Sequence, residues 1–286
     1  MLATWRLDPA ILFGLGVAAV LYVRADRRVR RERGERRLPR SRRWQFLAGL
    51  GVIFIALESP IDTASATSFS IHMVQHLLLT MVAAPLLVLG APVTLALLAS
   101  SPTNRKRLAA ALRSRPARFL SNPLLAWAVF FGVLWGSHFS GLFEAALRSD
   151  NVHALEHAAY LAAAVLFWMP VVGRDPTPSG LSHPARILYL FFAMASMAFL
   201  GLALFSANHV LYPTYAAVEG TAKAAADQRM GGALMWVGGM IHIVPALALV
   251  MLDWMRVDEL AARRVDARLL RMASVAAEVT PGGGSP

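Results

Sequence analysis

The sequence contains no cysteine. A disulfide framework and a thiolate metal site are therefore both excluded, and any bound metal must use histidine, methionine, aspartate or glutamate. Charge is also scarce, because only 16% of the 286 residues are charged and 57% are hydrophobic. The mean hydropathy of +0.52 lies far above that of a soluble domain. The composition therefore indicates a membrane protein.

Acidic residues are few, with 17 against 28 lysines and arginines, which leaves a net charge of +11. In a soluble protein this balance would suggest nucleic-acid binding. Here the arginines lie between apolar runs, where they orient a chain in the membrane and contact anionic lipid. We therefore predict the lipid bilayer, and no nucleic acid, as a partner.

Apolar runs of about 20 residues, the length that crosses a bilayer core, recur along the chain. An open sheet is excluded in lipid, so the fold class is all-α, a polytopic membrane helix bundle. The predicted transmembrane helices are seven, at about 9–23, 44–58, 70–99, 122–139, 152–172, 184–207 and 230–254. We assign residues 1–256 to this seven-helix transmembrane domain and residues 257–286 to a partly disordered tail, with disorder expected over 280–286. The third span should kink or break at Pro85 and Pro92.

The loops predict the orientation, because 24 of the 28 basic residues fall on one side of these spans. Segment 24–43 alone carries eleven arginines, and segment 100–121 carries six lysines and arginines without an acidic residue. The positive-inside rule places this side in the cytoplasm. The N-terminus is then outside and the C-terminal tail cytoplasmic. The first span is expected to stay uncleaved, since no small-residue cleavage site follows Val23.

Two histidine pairs stand at the starts of the third and fifth spans, His72 with His76 and His153 with His157. Residues four apart share one helix face, so each pair can present two imidazoles to one point. Both spans run from outside to inside, so the pairs should share one depth at the outer face. Ionisable groups at membrane depth indicate function, and we expect the pairs to form one metal site.

Further residues at the outer face complete the expected site. His138 ends the fourth span, Asp227 precedes the seventh, and the thioethers of Met73 and Met230 favour Cu(I) over other ions that bind imidazole. The predicted metal-binding residues are His72, His76, His153, His157, Asp227, Met73, Met230 and His138. Glu156 and Asp227 are also candidates for orienting an imidazole through its second nitrogen. His209 is expected to be an interfacial histidine without a ligand role, His242 to pack or to form a hydrogen bond with a facing carbonyl, and His183 to lie in a solvated loop.

Other interpretations of the pairs stay open on sequence alone. A haem between spans three and five could take one axial histidine from each. His153-Ala154-Leu155-Glu156-His157 matches the inverted zinc-peptidase pattern, and membrane di-iron oxygenases use similar pairs. Polar contacts between helices or a proton relay would need no cofactor. A transporter should carry polar groups through the bilayer, whereas the inner halves hold few besides His242.

Two motifs resemble a known family. The first runs from His72-Met73-Val74-Gln75-His76 to the segment Pro85–Pro92, and the second is Asp227-Gln228 followed by Gly231-Gly232 and Met235-Trp236. Together they resemble the seven-span CtaG family of caa3-type cytochrome c oxidase assembly factors. The resemblance implies a bacterial plasma-membrane assembly factor rather than an enzyme, with a membrane metalloenzyme as the alternative. It implies cytochrome c oxidase subunits as partners, a role in handling copper for the oxidase, and a periplasmic copper chaperone as a possible donor.

Overall fold

The computed structural model describes residues 4–34, 38–173, 175–176 and 180–279, and within these ranges it is helical without a strand. The helices are α1 (Pro9–Arg33), α2 (Arg40–Glu58), α3 (Pro60–Ser65), α4 (Phe69–Leu77), a π-helical segment (Leu78–Ala83), α5 (Ala84–Leu89), α6 (Pro92–Ala99), α7 (Pro102–Leu112), α8 (Arg115–Leu120), α9 (Pro123–Phe139), α10 (Leu142–Arg148), α11 (Asp150–Val172), α12 (His183–Ser206), α13 (Pro213–Glu219) and α14 (Thr221–Val279). The all-α prediction is confirmed. Helix α14 continues well past the predicted end of the seventh span, and residues 280–286 lie outside the described ranges.

Each predicted span coincides with a helix, but the count of seven membrane crossings is not confirmed. Five stretches of described helix are long and apolar enough to cross a bilayer, and a sixth qualifies if α9 and α10, bent by 68°, count as one span. Helix α2 is not among them, because its 19 residues include Arg40, Arg42, Arg43 and Glu58, which are too many charges for an apolar span of this length. The orientation stays a prediction.

Helix starts follow a simple local rule in this chain. Asp8 precedes Pro9 and accepts hydrogen bonds from the backbone of Ala10 and Ile11, and Asn122 does the same for the first turn of α9. A short polar side chain satisfies the first free backbone N–H groups, and proline at the first helical position needs no partner. These caps fix where the apolar helices begin and so position the residues at their ends.

The third span breaks where its prolines predicted. Helix α5 ends at Leu89, Ala91 takes a left-handed conformation with φ of 50°, and α6 restarts at Pro92. A side chain of helix α1 stabilises the break, because the Tyr22 hydroxyl donates to the Gly90 carbonyl at 2.6 Å. Asp175 accepts from the backbone N–H groups of the first turn of α6, including that of Thr94 at 2.7 Å. The freed backbone groups therefore find partners within the protein, as a membrane interior requires.

The main core lies between α4, α5 and α9–α14, and α1 and α2 pack against its side. Helices α12 and α14 come into close contact at two glycines. A Cβ added to Gly201 would come within 2.6 Å of the Gly232 carbonyl oxygen, so the backbones touch directly. Small residues allow such approach in membrane bundles. This contact holds the start of α14 against the end of α12.

Candidate functional site

Helices α4 and α11 bring the two histidine pairs together at one end of the bundle. The ring centroids of His72 and His153 lie 5.0 Å apart, and those of His76 and His157 lie 5.4 Å apart. His72, His76 and His157 are buried, and His153 is partly buried. We call these four residues the histidine cluster. The structure thus places the pairs of the third and fifth spans side by side.

A tyrosine of α13 sets the tautomer of His72. The Tyr215 hydroxyl donates to the Ser65 carbonyl at 2.9 Å and lies 3.0 Å from Nδ1 of His72. Burial, with the negative charge of Asp227 as a smaller cause, raises the pKa of Tyr215, so the hydroxyl keeps its proton. That single proton goes to Ser65, so His72 Nδ1 must carry a hydrogen and donate it to the tyrosine oxygen. The free lone pair of His72 is then on Nε2, which faces the cluster.

The Nε2 atoms of His72 and His76 lie 3.1 Å apart. Two nitrogens bound to one tetrahedral ion at about 2.0–2.1 Å are separated by about 3.3 Å. The observed separation therefore fits a hydrogen bond between the rings and is also close to that of two ligands of one ion. A helical spacing of four residues places the two rings on one face, which is why this pair meets without help from another element.

Several polar atoms of the histidine cluster and of the neighbouring Glu156 are buried without any hydrogen-bond partner in the described part of the chain. They are His76 Nδ1, His153 Nε2, His157 Nε2 and both carboxylate oxygens of Glu156. A buried polar group without a partner is costly, and an isolated buried carboxylate more so. Such atoms call for an explanation, and an ion is one.

The donors fall into two overlapping groups in which one ligand atom per residue lies within 4.8 Å of the others. The first is His72, His153 and His157, and the second is His72, His76 and Glu156. Nitrogen and carboxylate oxygen donors of this kind suit zinc, copper or iron. The residues present therefore fit a transition-metal ion, with His72 common to both groups.

His138 and Met73 lie beside the cluster and contact one another. His138 Nε2 is 3.4 Å from Met73 Sδ, and both side chains are buried. The His138 ring centroid lies 6.5 Å from that of His76. The Tyr160 ring stacks on His76 at 4.3 Å, and its hydroxyl lies 3.2 Å from His138 Nδ1. Both residues predicted to flank the pairs are thus adjacent to them.

Asp227, a residue of α14, lies against the N-terminus of α4. It accepts hydrogen bonds from the hydroxyls of Ser68 and Ser70 and from the Ser70 backbone N–H at 3.2 Å. A carboxylate at a helix N-terminus satisfies free N–H groups and complements the helix dipole. This arrangement positions the helix that carries His72, so Asp227 supports the cluster through α4.

The remaining predicted residues are not brought to the cluster. Met230 is 57% exposed, and His209 is exposed. His242 Nδ1 lies 2.7 Å from the Gly238 carbonyl of its own helix, so its hydrogen bond is local rather than to a facing helix. His183 begins α12 and lies 3.1 Å from Asp253, so the expectation of a solvated loop is wrong.

Sequence reasoning missed two aromatic residues of the site. Tyr160 falls three residues after His157 and four after Glu156, so the helical period could have placed it on the same face. Tyr215 sits in a seven-residue helix between α12 and α14, and no pattern in the sequence indicates that it reaches His72.

The fold and site define a class, a membrane-embedded helical bundle with four histidines gathered at one end. The family model for the cytochrome c oxidase caa3 assembly factor (Caa3_CtaG) matches residues 20–257. The chain belongs to this family, as the two sequence motifs predicted.

Curated relatives agree in sequence without adding a described activity. The uncharacterized protein Mb0105 of Mycobacterium bovis is 30% identical over 276 residues, which cover 93% of this chain and 42% of the relative. An uncharacterized protein of Mycobacterium leprae is 31% identical over 272 residues, covering 92% of this chain and 41% of the relative. The chain thus spans about two-fifths of the length of these relatives. No solved structure matches the chain significantly.

Proposed function

We propose that this assembly factor binds copper in the histidine cluster and supports its delivery to a cytochrome c oxidase subunit. The observation that carries the proposal is the convergence of ligand atoms within 4.8 Å of one another in the two donor groups, together with the unpartnered buried atoms of His153, His157 and Glu156. A cation bound between them would take up the nitrogen lone pairs and would be balanced by Glu156 in its deprotonated form.

Two observations favour copper over other ions: the thioether beside the histidine cluster, and the membership of the chain in a family of oxidase assembly factors. Imidazole and carboxylate donors alone would accept zinc or iron as well. The thioether of Met73 adjoins the cluster, and thioethers favour Cu(I). Cytochrome c oxidase is a haem–copper enzyme, so its assembly requires copper. In the predicted orientation the cluster is at the outer side of the plasma membrane, where a periplasmic chaperone could supply the ion.

Haem is the rival cofactor, and ring packing disfavours it. Phe143 packs 4.7 Å from the His72 ring, and Tyr160 stacks 4.3 Å from the His76 ring. These aromatic rings fill the space beside the imidazoles that a porphyrin would need. A Soret band in the protein purified from its native membrane would nevertheless decide for haem.

The test is the copper content of the purified full-length protein, measured by mass spectrometry after loading and desalting. The double variant His72→Ala with His157→Ala removes a donor from each helix and should lose bound copper. The matched control is His183→Ala with His209→Ala, which removes two imidazoles outside the cluster and should bind as the wild type does. Copper binding by the double variant at the wild-type level would refute the proposed site.

A second measurement connects the site to the oxidase. A strain lacking this protein should have reduced oxidase activity in its membranes, and the wild-type gene should restore it. The His72→Ala, His157→Ala variant should fail to restore activity at equal protein abundance. If the variant restores full activity, the protein supports assembly without the histidine cluster.

A further inference from the structure

His138 has a tautomer that its own helix determines. Its Nδ1 lies 2.8 Å from the carbonyl oxygen of Leu134, one turn earlier in α9. A carbonyl oxygen only accepts, so Nδ1 must carry the hydrogen and donate it. The hydroxyls of Ser137 and Tyr160 also lie on this side of the ring, each 3.2 Å from Nδ1. The Nε2 atom is therefore an unprotonated acceptor.

This acceptor faces a second acceptor. Met73 Sδ lies 3.4 Å from His138 Nε2, and a thioether sulfur has no hydrogen to donate. Met73 is fully buried, and His138 is 4% exposed. An N–H···S bond would require a doubly protonated ring, which places a charge in the buried core at a high cost. Two lone pairs thus point at one another in the interior, with no hydrogen to share.

We propose that Met73 and His138 form a second copper position, selective for Cu(I), next to the histidine cluster. The inference rests on copper binding as proposed above and identifies a distinct pair of ligands. A monovalent cation between the two atoms would satisfy both lone pairs and would add only one charge to the core. Thioether sulfur selects Cu(I) over zinc and over Cu(II).

The separation of the two atoms fits this role. Bonds of about 2.0 Å to nitrogen and about 2.3 Å to sulfur place two such ligands 3.4 Å apart at an angle of about 105° around the ion. Two ligands leave the ion open on its other side. The unpartnered His76 Nδ1 belongs to a ring whose centroid is 6.5 Å from that of His138. An ion could therefore pass between the pair and the cluster over a short distance.

The experiment is X-ray absorption at the copper edge on the full-length protein in detergent, loaded with Cu(I) under ascorbate. The wild type should show sulfur scattering at about 2.3 Å beside the nitrogen shell. Met73→Leu, a change that nearly conserves volume, should lose the sulfur shell and keep the nitrogen shell. Met197→Leu, a buried methionine of α12 that is 1% exposed, is the control and should keep both shells.

The outcomes separate the two proposals. A sulfur shell that persists in Met73→Leu, or is absent from the wild type although copper is bound, overturns the second position and leaves the cluster in place. Failure of the wild type to bind copper overturns both. Should Met73→Leu not fold, selenomethionine labelling of the wild type replaces it, since methionine ligation predicts that selenium scattering takes the place of sulfur scattering at the copper edge. An unchanged copper spectrum after labelling would equally overturn the inference.

Discussion

Replacing Tyr215 by phenylalanine tests how the cluster is organised without touching a metal ligand. The hydroxyl makes two contacts, donating to the Ser65 carbonyl at 2.9 Å and accepting from His72 Nδ1 at 3.0 Å. Phenylalanine keeps the ring that packs against Phe69 and removes both. His72 then loses the partner that fixes its tautomer, and its Nε2 lone pair no longer has to face the cluster.

The expected loss of stability follows from the two hydrogen bonds that disappear. The Ser65 carbonyl and His72 Nδ1 each lose their partner, and each unsatisfied buried group costs about 1–3 kcal/mol, so we expect a loss of about 2–6 kcal/mol. Removing the partner that orients a metal-bound histidine typically lowers metal affinity by about 10–100-fold. The expected loss in copper binding is therefore about 1.4–2.7 kcal/mol.

The assay is competition for Cu(I) against a chromophoric chelator, combined with thermal unfolding of the same sample without metal. Tyr189→Phe is the matched control, because its buried hydroxyl donates to the Phe167 carbonyl at 3.1 Å in the core of α11 and α12. The control should lose stability and keep its copper affinity. If Tyr215→Phe also keeps wild-type affinity, the tyrosine does not orient His72 as a metal ligand and the tautomer argument fails.

Two further predictions concern the frame around the cluster. Asp227→Ala should destabilise the protein by about 0.5–2 kcal/mol, the cost of a lost helix cap, and so lower its unfolding temperature. The control Asp253→Ala removes only an exposed pair with a histidine and should change the unfolding temperature little. Equal shifts in the two variants would contradict the capping role. Gly232→Ala should destabilise the bundle by about 1–3 kcal/mol through overpacking, because its Cβ would lie 2.7 Å from the Gly201 carbonyl oxygen. Gly136→Ala is the control, since a Cβ at this position would meet no atom within 4 Å. Thermal unfolding in one detergent measures all four variants, and tolerance of Gly232→Ala would mean that α12 and α14 do not pack this closely.

The positions of the helices could be predicted because lipid imposes a strong rule. Apolar runs of the right length had to be helical, and prolines such as Pro92 had to begin a helix or break one. The number of crossings was harder to predict. Helix α2 combines an apolar stretch with arginines at its start, and α9 and α10 bend by 68° within a short distance, so length and hydropathy alone do not separate a span from a partial one.

Spacing and the predicted orientation indicated that the two histidine pairs share one depth, but the sequence could not show that the third and fifth spans are neighbours. Contacts across the bundle could not be predicted either. Met230 was predicted as a ligand because it begins the seventh span at the outer face, yet its side chain is exposed, whereas the neighbouring Gly231 lies against Phe69. Tyr215 reaches His72 from a short connecting helix, and its position depends on how α12 and α14 pack. Periodicity places residues on a helix face and carries no information about which neighbour covers that face.

The π-helical segment Leu78–Ala83 begins directly after the α4 turn that carries His76. One extra residue in a turn rotates every later side chain by about 100° relative to an uninterrupted α-helix. The histidines therefore face α11, while Leu79 and Ala83 face the α2 side of the bundle. The π-helical segment therefore sets the orientation of the histidines independently of the orientation of the apolar residues that follow them. The apolar part of the helix can pack against α2 while the imidazoles face α11.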